Sequence, residues 1–163
     1  MKKTPSVMRT LAGDLMYELD ALYASTEMIL SCCYRQPPLD GLLLEACLLH
    51  FRVVWDFFYP PNPKRFPTDI VVGDYIADWN PPKPPAVLVK IRNRVDVMSA
   101  HLTSKRANPD YRKRDTTMDD INRIRAHTQA LFTAFKKALP EDQRGAFVNP
   151  LARKFVRYET LHV

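Results

Sequence analysis

The chain is 163 residues long, 46% apolar and 26% charged, which fits one ordinary globular domain with room for a real core. It holds 14 prolines but only 4 glycines, a balance that argues against turn-rich β architecture and for helices joined by stiff connections. The formal charge is +6, so an acidic or polyanionic partner fits. No Gly-rich phosphate loop, Cys/His cluster, collagen-like period or long apolar run is present.

Four long helical segments follow in chain order. The first runs from about 4 to 33, opened by a capping Thr4 and by Pro5 at the first helical position, with Leu11, Leu15, Leu19, Leu22, Met28 and Leu30 at helical spacing. Pro37 and Pro38 break it. The second, 39–59, is apolar nearly all round, which predicts a central helix. Residues 60–85 contain 8 of the 14 prolines and read as a stiff connection holding one ordered piece, DIVVGDYIADW, laid across the bundle. The third helix covers 85–102. The fourth covers 117–139, capped by Thr117 with Asp119 and Asp120 in its first turn. The tail, 141–163, carries Phe147, Leu151, Phe155 and Tyr158 at helical spacing and predicts a short docking helix. The expected architecture is a single all-α domain over 1–163, a four- to five-helix bundle.

Cysteines stand at 32, 33 and 47, with no zinc or redox spacing, so buried free thiols in a reducing cytoplasm are expected. The most hydrophobic stretch, 41–59, is interrupted by Glu45, His50, Arg52 and Asp56, which excludes a membrane span there. The early acids Asp14, Glu18 and Asp20 exclude an apolar leader core at the start. No metal or cofactor site is expected.

Charge is concentrated. Residues 90–114 hold eight bases against Asp96 and Asp110, a surplus equal to the whole net charge. Lys105, Arg106, Arg112, Lys113 and Arg114 therefore form a candidate phosphate-binding segment, with Tyr111 available to stack on a base. The bland alternative is a solvated loop. On the second helix, Glu45, Arg52 and Asp56 fall within about 40° of one another. On an apolar helix such a stripe reads as an ion network that fixes helix register, with His50 pointing elsewhere as a satisfied boundary histidine.

On the third helix, Arg94 and His101 lie two turns apart at the edge of the apolar face, away from the fully polar positions Arg92, Asn93, Asp96 and Ser99. An arginine can hold a phosphate bidentately and an imidazole can move a proton near neutral pH, so the pair is a candidate catalytic site for RNA cleavage without metal. A structural alternative has His101 donating to a carboxylate such as Asp56 or Asp74.

The runs LLLEACLLHFRVVWDFFYP, DIVVGDYIADW and KIRNRVDVMSAHLTSKR, spanning roughly 39–106, resemble a group of uncharacterised bacterial helical proteins. Their order, and the arginine–histidine helix, is similar to the HEPN superfamily. That resemblance implies an α-helical bundle, homodimerisation and metal-independent endoribonuclease activity in toxin and defence systems, with a cognate antitoxin or other protein as partner. Arg94 and His101 would then be the catalytic pair. The chain departs from the motif at Val95, where catalytic members usually place Asn, Asp or His after the arginine. A non-catalytic helical module that binds RNA, a nucleotide or a protein partner is the alternative.

Overall fold

A computed structural model describes residues 4–31, 39–60, 68–98 and 116–147. Five α-helices and no strand occur among the described residues: α1 (Pro5–Leu30), α2 (Leu39–Phe58), α3 (Ala86–Met98), α4 (Met118–Ala138) and the short α5 (Glu141–Arg144). The protein is an all-helical bundle.

Local chemistry sets the helix ends. Thr4 caps α1, its hydroxyl accepting from Val7 N at 3.4 Å, and Pro5 follows where its missing N–H leaves no gap in the ladder. Thr117 and Asp120 form a reciprocal capping box on α4, with Asp120 N to Thr117 Oγ1 at 3.1 Å and Thr117 N to Asp120 Oδ2 at 3.0 Å. Prolines 81, 82, 84 and 85 lead into α3, whose first bond is Leu88 N to Pro85 O at 2.9 Å.

Each long helix turns one stripe inward. Leu15, Met16, Leu19 and Leu22 of α1 meet Cys47, Phe51, Val54 and Phe58 of α2, Leu88, Ile91 and Val95 of α3, and Ile121, Ile124, Leu131 and Phe135 of α4. Phe135 is the aromatic centre, with ring centroids 5.1 Å from Phe147, 5.6 Å from Phe57 and 5.7 Å from Phe58, all edge-on. The buried hydroxyls of Ser25, Thr26 and Thr128 are satisfied by donating back to carbonyls of their own helices, those of Leu22, Tyr23 and Ile124. Cys47 is buried and free, and burial pushes its thiol up to about 12, so it is a packing group and no nucleophile at neutral pH. Cys32 and Cys33 lie outside the described residues.

The segment 68–85 crosses the bundle, tightened by a 3₁₀ turn at Val72–Asp74. It is pinned at two points. Tyr75 donates its hydroxyl to Met8 O on α1 at 3.0 Å, and Tyr59 at the end of α2 donates to Pro82 O at 2.8 Å. Val71 and Val72 are buried, and Trp79 packs on Phe58 and Phe135.

α2 packs against α1, α3 and α4, as a central helix should. Its apolar surface is nevertheless not all internal. Leu39, Leu42, Leu49 and Val53 are 49%, 57%, 41% and 46% exposed. Three neighbouring helices do not enclose a fourth, so an apolar side of α2 faces outward.

Candidate functional site

α1 and α2 lie side by side and antiparallel, and residues 69–71 join them in lining the space between. The result is a cleft of about 590 Å³, within the size range of ligand-binding cavities. Leu11 and Leu15 of α1, Leu49, Val53 and Phe57 of α2, and Ile70 and Val71 supply its apolar lining. Asp14, Glu18, Asp56 and Asp69 supply four carboxylates, against Arg52 and His50. With the imidazole neutral, the lining carries a formal charge of −3 on a protein whose whole charge is +6.

Two cross-helix contacts organise the polar groups. His50 Nδ1 lies 2.7 Å from Glu18 Oε2, both side chains 23% exposed, and Tyr17 packs edge-on against the imidazole at 6.0 Å. His50 is thus a satisfied boundary histidine, as its sequence position suggests, but it shares the cleft wall with Arg52 and Asp56 instead of pointing away from them. Arg92 on α3 reaches Asp56 with three hydrogen bonds, Nη2 to Oδ1 at 2.7 Å, Nη2 to Oδ2 at 2.9 Å and Nε to Oδ1 at 3.1 Å. Such a multidentate arginine–carboxylate pair is geometrically specific and charge-assisted.

Of the ion network expected on α2, the Arg52–Asp56 contact is present, and Arg92 from α3 joins it. Arg52 Nε stands 3.9 Å from Asp56 Oδ2, a longer contact than any that Arg92 makes. Glu45 is exposed and makes no ion pair with Arg52 among the described residues. A stripe on one helix fixes which side chains are adjacent along it, but the adjacent helix decides which of them is engaged. Arg92, assigned from periodicity to the fully polar side, is the cation that ties α3 to α2.

Arg94 is half-buried on α3, whose Leu88, Ile91 and Val95 are buried, so it stands at the rim of the core-facing stripe. Its expected partner His101 lies outside the described residues, as do Lys105, Arg106, Arg112, Lys113 and Arg114 of the basic segment, and Tyr111. Among the described residues, no group of three or more His, Cys, Asp or Glu is placed to hold a metal ion. No helix among them is long and apolar enough to cross a membrane.

A second polar cluster joins α2 to α4. The rings of Tyr59 and His127 stack with centroids 6.1 Å apart and planes 6° from parallel, and Trp55 lies beside them. Tyr59 gives its only proton to Pro82 O, so it meets His127 Nε2 at 3.1 Å as an acceptor, which selects the Nε2–H tautomer. Burial lowers the pKa of His127 below its ordinary value and raises that of Tyr59. This cluster ties the proline-rich connection to the end of α2 through the Tyr59–Pro82 bond.

Comparison of the chain with models of protein families, with curated proteins and with solved structures finds no match. The functional reading therefore stands on this chain's own residues.

Proposed function

We propose that the protein is a non-catalytic helical module that binds another protein in the α1–α2 cleft. One observation carries this reading. Seven of the eight large apolar side chains exposed among the described residues lie on α1 or α2, and Leu49 and Val53 line the cleft itself. Isolated exposed aliphatics are ordinary, but Leu49 and Val53 exposed together on the wall of a concave, partly polar cleft fit a protein interface. Carboxylates along the same cleft oppose phosphate, which argues against nucleic acid as the occupant there.

The test is a photo-crosslinking amino acid placed at Val53 and, as a control, at the exposed Arg123 of α4, with the protein expressed in its native host. A discrete heteromeric adduct at Val53 that is absent at Arg123 supports the module. Equal yields at both positions, or none at Val53, contradict it.

A second reading, a HEPN-like metal-independent endoribonuclease acting as a homodimer, is supported by Arg94 standing at the rim of the core-facing stripe of α3. There Arg94 would hold the scissile phosphate, His101 would take the 2′-OH proton or protonate the leaving oxygen, and the 105–114 segment would grip flanking backbone. RNA cleavage that persists in EDTA and vanishes in His101→Ala is the expected outcome of that reading. Cleavage unchanged by that substitution, or none from the wild-type protein, contradicts it.

A further inference from the structure

We propose, building on the protein-binding reading, that the occupant of the α1–α2 cleft is a basic amphipathic helix of a partner protein. Leu42, Leu49 and Val53 recur at seven- and four-residue intervals on α2, forming an apolar row about 16 Å long at 1.5 Å per residue. Leu11 and Leu15 of α1 run beside the end of that row that enters the cleft. A groove between two antiparallel helices accepts the apolar edge of a third helix through anchors at i, i+3 or i+4, and i+7. An extended peptide finds no template, because no strand edge exists among the described residues.

Charge selects the sign of the partner. Four carboxylates line the cleft against Arg52, and counting Arg92 on Asp56 the formal balance is still −2 with the imidazole neutral, on a molecule that is otherwise basic. Glu18 and Asp56 already hold His50 and Arg92, and Asp14 is exposed at the mouth. Lysines or arginines flanking the apolar edge of an incoming helix meet this field favourably, whereas an acidic helix is repelled. A second copy of this chain is disfavoured by the same symmetry, since an isologous contact would set one acidic cleft against another.

Two synthetic peptides of about 14 residues with identical leucine positions, one carrying lysines and one glutamates elsewhere, test the inference by fluorescence anisotropy in about 0.15 M salt. The Leu/Lys peptide is expected to bind saturably, and Val53→Glu and Asp14→Lys are each expected to weaken it by about tenfold or more. Met118→Glu, at an exposed apolar residue of α4 outside the cleft, is expected to leave binding unchanged. Far-UV circular dichroism of each variant confirms that the bundle is intact, which the exposure of these three positions makes the expected result. If the Leu/Glu peptide binds instead and depends on Val53, the charge inference fails while the protein-binding reading stands. If no peptide binding responds to Val53→Glu, both fail. Self-association of the wild-type protein that Val53→Glu abolishes would make the occupant a second copy and overturn the proposal.

Discussion

At Asp56 two arginines compete for one carboxylate. Arg92, 11% exposed, makes three hydrogen bonds to it, and Arg52, 18% exposed, stands at 3.9 Å. Read from α2 alone, Arg52 carries the network, and its removal would strand buried carboxylates. The geometry moves that role to Arg92. Arg92→Ala is expected to cost about 1.5–3 kcal/mol, because it leaves a half-buried carboxylate without its charged donors. Arg92→Lys, which keeps the charge but loses the guanidinium fork, is expected to cost about 1 kcal/mol or less. Urea unfolding of both variants checks the order, and equal losses would contradict it.

His127 sets a pH dependence at the same scale. Burial lowers its pKa in the folded protein below its ordinary value of 6.5, so between those two values the unfolded chain binds more protons. Stability is therefore fully present above about pH 6.5 and falls as pH drops through the folded pKa. His127→Gln, which keeps a donor toward Tyr59, is expected to flatten that part of the profile. Thermal unfolding between about pH 5 and 8 measures it. An unchanged slope would contradict the assignment.

Helices show where sequence is informative and where it stops. The starts of α1 and α4 were legible because caps are local: Thr4 with Pro5, and Thr117 with Asp120, act within a few residues. Thr117→Ala is accordingly expected to lower stability by about 1 kcal/mol, read as a drop in melting temperature, with no loss of the helical circular dichroism signal. The core stripe of α1 was legible for a similar reason, since period 3.6 marks a buried face and Leu15, Leu19 and Leu22 are buried as expected. The pairs Glu18–His50, Asp56–Arg92 and Tyr59–His127 were not, being 32, 36 and 68 residues apart. Their formation depends on how far one helix is rotated and slid against another, and no single-helix pattern encodes that. The outward apolar row of α2 was hidden differently. Composition counted its leucines and valines as core, and only the number of surrounding helices shows which ones are left outside.

Across the whole molecule, charge and apolar exposure are distributed unevenly. The sequence places an excess of base in 90–114, whereas the cleft between α1 and α2 is acidic and aliphatic. The two proposed readings assign these regions different partners, phosphate for one and a basic protein helix for the other, and a homodimeric ribonuclease would use the first alone. What distinguishes the binding-module reading is location. Amide chemical shifts of the ¹⁵N-labelled protein, followed during titration with the Leu/Lys peptide, report that location residue by residue. The expected result is saturable shifts concentrated at Leu11–Glu18 of α1 and Leu49–Asp56 of α2, with the outer face of α4 unchanged. Shifts confined to α4, or none at saturating peptide, would contradict it.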